Sequence, residues 1–132
     1  MILTMAKAHE KAECLQSIAA IRDTLYVVGG KWKLPILIAL FDGPLRFKEL
    51  QKNLEGITPK ILSKELKELE LNEFVTRTVY ATSPVSVEYA LTGYSFTLDK
   101  VLLELRNWGF QHRKRIRECS KARRAVAEKE KN

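Results

Sequence analysis

Residues 58–80 read TPKILSKELKELELNEFVTRTVY, and the hydrophobic period changes part-way along. Up to Leu71, apolar side chains recur at helical spacing, with Ile61, Leu62, Leu66 and Leu69 on one arc at about 100° per residue. Thr58-Pro59 is a helix start: the hydroxyl can accept from an unpaired N–H, and a proline in the first turn gives up no hydrogen bond. After Asn72-Glu73 the period falls to two, with Val75, Arg77 and Val79 alternating with Thr76, Thr78 and Tyr80. A second alternating run follows the four-residue loop 81–84. In it Val85, Val87, Tyr89 and Leu91 are set against Ser86, Glu88 and Ala90. Two β-rich runs joined this closely predict an antiparallel hairpin directly after a helix.

Working outward, a helix is expected over about 13–28, with Leu15, Ile18, Ile21, Leu25 and Val28, stopped by Gly29-Gly30. The next segment, KWKLPILIALF (31–41), is apolar nearly all round and is expected to be the most buried helix, with Pro35 in its first turn. LRFKELQKNLEG (45–56) predicts a short third helix with Phe47, Leu50 and Leu54 on one side. A last helix is expected over about 95–120. Its apolar residues form two stripes: Leu98, Val101, Leu102, Leu105, Trp108 and Ile116 on one, Phe96, Leu103 and Phe110 on the other. A helix packed only on its own domain needs one stripe. The second stripe either faces another copy of the chain, the reading favoured here, or widens a single core face. Three core helices followed at once by a hairpin predict a mainly α (α+β) fold, the winged helix-turn-helix. In that fold the third core helix reads the DNA groove and the hairpin is the wing.

The helix of residues 58–71 carries its charges unevenly. Lys60, Ser63, Lys64 and Lys67 share the arc opposite the leucines, and Glu65, Glu68 and Glu70 lie on the flanks. Lys64 and Glu68 are spaced as a pair. A solvated face usually mixes signs in such pairs, whereas an unmixed stripe of donors suits phosphate and base edges. Thr58, Pro59, Lys60, Ser63 and Lys64 are therefore the expected groove-facing set, with Lys67 further along the same stripe. Arg46 and Lys48 are expected to support them on phosphates, and Lys31 and Lys33 are secondary candidates. At the wing tip Thr82 and Ser83, with Arg77 nearby, are expected over the backbone or minor groove.

The 132 residues suit one domain with an additional helix, and 45% hydrophobic content provides for a core. The formal net charge is +7, from 23 basic and 16 acidic residues. Nine basic and three acidic residues fall in 113–132, so residues 1–112 carry only +1. Residues 1–13 are expected to be flexible, 14–112 to form the winged-helix domain with its dimerisation helices, and 113–132 to be a basic helix end or tail; it could touch DNA phosphates non-specifically, but a frayed, solvated helix end is the reading favoured here. Cys14 and Cys119 lack CxxC or His-rich surroundings, so neither zinc nor a disulfide framework is expected. No signal peptide or membrane span is legible, which predicts a soluble cytoplasmic chain. His9 and His112 stand apart from any nucleophile, and Gly29-Gly30 does not continue into a phosphate loop. An enzyme is therefore not expected, and no cofactor or metal is called for. Double-stranded DNA is the expected partner. A winged helix that binds proteins without reading DNA is the alternative. A small-molecule effector is left open, because no residue pattern names its ligand.

The ordered motifs GGKWKLPILIAL, RFKEL, GITPKILSKELKELE, VTRTVY and VEYALTGY resemble the HxlR-type winged-helix transcriptional regulators of bacteria and archaea. The similarity covers roughly residues 19–112. It implies a homodimer that reads an operator with helix 58–71, uses the hairpin 75–91 as its wing, and pairs through its first and last helices. That assigns Leu15, Ile18, Phe96, Leu103 and Phe110 to the dimer interface. Many members carry a cysteine ten residues before the first glycine of the GGKW-like motif. Here that position is Ala19, and Cys14 lies five residues earlier without a cationic pattern to lower its pKa.

Overall fold

Gly29 ends the first helix because nothing larger fits there: a Cβ would lie 2.1 Å from the Leu25 carbonyl oxygen that accepts the Gly29 N–H. This helix, α1 (Lys11–Val28), opens the computed structural model, which describes residues 11–131. The expected flexible segment 1–13 thus lies outside the described residues up to residue 10, and residues 11–13 are helical. There follow α2 (Lys33–Ala39), β1 (Leu45–Arg46), α3 (Phe47–Asn53), α4 (Pro59–Leu71), β2 (Val75–Tyr80) and β3 (Ser86–Leu91). A 3-10 segment (Gly93–Leu98) leads into α5 (Asp99–Lys131).

The core is built from three short helices and the base of the hairpin. Ile36, Leu37 and Leu40 from α2 and its C-cap, Leu50 from α3, and Leu62, Leu66 and Leu69 from α4 are all 2% exposed or less. Burying a leucine or isoleucine this fully contributes about 2 kcal/mol. Leu54, Ile57, Phe74, Val75 and Tyr89 close the core. The register on the sheet face matches the period-two reading: Val75 pairs with Leu91, Arg77 with Tyr89 and Val79 with Val87.

The sheet has a third strand that the sequence did not announce. β1 pairs antiparallel with β3, Leu45 opposite Tyr89 and Arg46 opposite Glu88, giving the order β1-β3-β2. Two residues are too few to show a period, so Leu45 and Arg46 read as the start of the helix that in fact begins at Phe47.

The second helix is the most buried, as expected, with Ile38 its one exposed residue at 55%. Phe41 just after it meets Phe96 edge-on at 5.9 Å. The last helix starts later and runs further than expected, passing through the expected boundary at 112/113 without a break. The molecule divides into one unit ending at Phe96 and a second beginning at Thr97, which is essentially α5. No residue of α5 is buried, so Val101, Leu105, Trp108 and Ile116 are exposed along with Leu103 and Phe110. Among the described residues no helix is long and apolar enough to cross a membrane.

Candidate nucleic-acid interface

The N-terminus of α4 is fixed by its own first residues. Thr58 has extended backbone angles, φ −86° and ψ 155°, and its Oγ1 accepts the Ile61 N–H at 3.2 Å. Pro59 occupies the first turn. Gly56, at φ +89°, takes the left-handed conformation that lets the chain turn from α3 into this cap. With the Ile61 and Leu62 N–H groups both taken up by Thr58, the first turn of α4 presents the positive end of the helix dipole to solvent.

The other end of α4 is fixed in a way that aims the wing. The Phe74 N–H donates to the Leu69 carbonyl at 2.9 Å and the Glu73 N–H to the Glu70 carbonyl at 3.0 Å. With Glu73 at φ 66°, this is a Schellman turn. Thr92, at the end of the wing, closes on the same turn: its Oγ1 donates to the Glu73 carbonyl at 2.6 Å and its N–H to the Phe74 carbonyl at 3.1 Å. The buried Ser95 hydroxyl also donates to the Phe74 carbonyl. Both legs of the wing are thus tied to the C-terminus of α4.

Leu62, Leu66 and Leu69 face the core, which leaves Thr58, Pro59, Lys60, Ser63, Lys64 and Lys67 all exposed. Ile61 departs from expectation: it lies at the edge of the apolar arc and is 38% exposed. Among the described residues the ion pairs within 4.0 Å are both made by Lys33, so no carboxylate neutralises Lys60, Lys64 or Lys67.

Lys33 is the residue whose role the sequence misassigned. It is 8% exposed, not a surface cation free for phosphate. Its Nζ donates to Glu65 Oε2 at 2.7 Å and lies 2.6 Å from Glu68 Oε2. Burial alone would lower the lysine pKa, but the two carboxylates outweigh it and hold the pKa above its ordinary value. The hydrogen bond from Lys33 lowers the Glu68 pKa against the opposing effect of burial, and Lys64 adds a smaller pull. The close partner of Glu68 is therefore Lys33 on α2, and Lys64, the partner expected from spacing, acts on it only as a weaker coulombic neighbour. A lysine at the start of an apolar helix and two acids three residues apart are the available sequence signals, but nothing local links them.

Among the supporting residues, Arg46 and Lys48 are exposed in β1 and the first turn of α3. Arg46 donates its backbone N–H to Glu49 Oε1 at 3.0 Å and stands across the sheet from Glu88, an acid that tempers it. Lys31 lies over the Trp32 ring at 4.8 Å. At the wing tip Thr82 and Ser83 are exposed, and Thr82 Oγ1 donates to the Pro84 carbonyl at 2.8 Å.

Arg77 is placed differently from expectation. It belongs to the lower part of β2, about 10 Å along the strand from its end at Tyr80 and so further still from Thr82. There it lines a shallow groove of about 250 Å³ with Ser63, Leu66, Lys67, Glu70 and Tyr89. The structure thus brings Arg77 beside Ser63 and Lys67 of α4; the tip itself, residues 81–85, holds no cation in the sequence.

This geometry has known counterparts. The family pattern described as HxlR-like helix-turn-helix matches residues 27–117. The chain belongs to that family. It is 40% identical over 105 residues to the HTH-type transcriptional regulator YdeP of Bacillus subtilis, covering 80% of this chain and 82% of that one. It is 46% identical over 111 residues to an HTH-type transcriptional regulator of Halalkalibacterium halodurans, covering 83% of this chain and 97% of that one. Among solved structures, the redox regulator HypR in its reduced form superposes with a TM-score of 0.68 at 38% identity, over 71% of this chain and 93% of that one. Reduced YodB of B. subtilis, a transcriptional regulator, gives a TM-score of 0.63 at 38% identity, over 70% of this chain and 90% of that one. The fold of this HxlR-type chain is the winged helix-turn-helix.

Proposed function

We propose that this HxlR-type protein is a sequence-specific DNA-binding transcriptional regulator that acts as a homodimer on a pseudo-palindromic operator. The observation that carries the reading is the exposed, unpaired stripe Lys60, Ser63, Lys64 and Lys67 on α4, with Arg77 beside it and Glu65 and Glu68 drawn off to Lys33. Donors on one helix face next to a helix N-terminus match a major groove edged by phosphates. In a two-fold dimer the two α4 helices enter successive major grooves, so half-site centres fall about 10 base pairs apart or a multiple of that. The exposed apolar residues Leu15 and Ile18 on α1, Phe96 before α5, and Leu103 and Phe110 on α5 support the dimer, because a second copy would cover them.

The test is a gel-shift titration of the full chain against the DNA upstream of its own gene. Retardation that survives excess unrelated duplex at physiological salt is expected. No retardation even at low salt would point instead to a winged helix that binds protein.

A further inference from the structure

We propose that the C-terminal half of α5 is a second DNA-contacting surface, an arm that grips phosphates without reading sequence. Its partner is the duplex assigned to α4 above, so it rests on that reading for the identity of the polyanion. The family match ends at residue 117, but α5 continues as unbroken helix to Lys131. On that helix Arg113, Arg117, Lys121, Arg124 and Lys131 fall within an arc of about 80°, and every one is exposed. The acid sharing the arc is Glu128, while Glu118 and Glu130 lie elsewhere on the helix. Among the described residues none of the five cations has a carboxylate within 4.0 Å, since both ion pairs of that length belong to Lys33.

An unpaired cationic row needs a polyanion, and its length selects the kind. From Arg113 to Lys131 the helix rises about 27 Å, against a duplex that carries one charge per about 1.7 Å of axis. A second copy of the chain does not fit this face, because the same stripe would meet itself. A lipid surface fits poorly as well: between Arg113 and Lys131 the apolar side chains larger than alanine are Ile116, Cys119 and Val126, too few to bury in a bilayer interface. Phosphates spaced along a rigid groove fit both the charge and the unbroken, exposed helix. Because such interactions are with the nucleic-acid backbone, the arm adds affinity equally to cognate and unrelated DNA.

The test uses full-length protein with Arg117→Gln, Lys121→Gln and Arg124→Gln combined, substitutions that keep helix propensity. Anisotropy titrations over a salt series are run on its own upstream duplex and on an unrelated duplex. The slope of log K against log salt should fall in magnitude by about 0.9 for each phosphate no longer neutralised, up to about 2.7 per protomer. The ratio of cognate to unrelated affinity should stay within about twofold. A second variant, Arg117→Lys with Arg124→Lys, should keep the wild-type slope, because point charge suffices for phosphate. Circular dichroism on both confirms that the helix persists. Unchanged slopes on both duplexes in the glutamine variant overturn the proposal. So does loss of binding to phosphatidylserine vesicles with DNA slopes unchanged, which would make the arm a lipid-binding element. A lower slope in the glutamine variant, together with wild-type protein that shows no preference for its own upstream DNA, would sink the operator reading and leave the arm standing.

Discussion

Lys33 Nζ lies 2.6 Å from Glu68 Oε2, and this ion pair joins the buried helix α2 to α4, the helix that carries the exposed lysines Lys60, Lys64 and Lys67. The same ammonium holds Glu65, so two acids of α4 are turned to one buried cation. The triad does two things at once. It fixes the rotation of α4 about its axis, and it keeps Glu68 from neutralising Lys64 on the exposed face.

Replacing Lys33 with methionine keeps much of the volume and leaves two carboxylates facing each other without a counter-charge. A loss of about 2 kcal/mol is expected, between the values for exposed and fully buried pairs. Urea denaturation measures it. DNA affinity should fall as well, because Glu68 becomes free to pair with Lys64. Recovery of stability in Lys33→Met combined with Glu65→Gln and Glu68→Gln would show that stranded charge, not lost packing, is the cause.

The triad also sets a pH response. The Glu68 pKa is held below its ordinary 4.5, so its share of stability is present above that value and is lost as pH falls through the lowered pKa. The Lys33 pKa is held above its ordinary 10.5, so its share is present below that value and is lost as pH rises through the raised pKa. The stability gap between wild type and Lys33→Met should therefore be level around neutrality and narrow in strong acid and strong alkali. A gap that stays constant from about pH 7 to about pH 3 would count against the triad as its source.

On the reading face, Lys60→Ala and Lys64→Ala should each weaken operator binding while leaving the dimer intact. A side chain on a base edge is worth about 1–3 kcal/mol of discrimination; one on a phosphate lowers the salt slope by about 0.9. Anisotropy with cognate and unrelated duplexes separates the two. If both variants bind the operator as wild type does, α4 is not the reading helix. Arg77→Ala should lower the salt slope too, whereas Thr82→Ala at the wing tip should change affinity little.

Glu73 adopts φ 66° to close the Schellman turn between α4 and the wing. An L side chain there costs about 1–2 kcal/mol that glycine avoids. Glu73→Gly should therefore raise stability by about 0.5–1 kcal/mol once the greater freedom of the unfolded glycine is offset. A thermal midpoint a few degrees higher in calorimetry is the expected result; a lower one would mean that the glutamate side chain itself holds the turn.

Leu103 and Phe110 are 49% and 57% exposed on the second stripe of α5. Leu103→Glu and Phe110→Glu should each convert the dimer to monomer, read by light scattering at micromolar concentration. Monomer should bind the operator much more weakly, since each α4 would engage its half-site alone. A wild-type mass of one chain would remove the basis for this prediction.

Much of the architecture was legible because the signals are local. The shift of period after Asn72 marks helix and hairpin, the Thr58-Pro59 cap marks the start of α4, and the three leucines mark its buried side. The exposure of Lys60, Ser63, Lys64 and Lys67 follows from the same wheel. What was missed is non-local or very short. β1 is two residues long and exists only because β3 lies beside it. Arg77 was grouped with the wing tip by nearness in sequence, but the pairing register sets it beside α4 instead.

The chain's own order of residues determined which elements form and which face of α4 is polar, because periodicity and caps act over a few residues. Tertiary structure decided which charges on that face stay free. Lys33 and Glu65 are 32 residues apart and meet only when α2 packs on α4, where a buried ammonium must find carboxylates. That meeting holds the flanking acids Glu65 and Glu68 on Lys33, beside a lysine row that the helical spacing already sets apart.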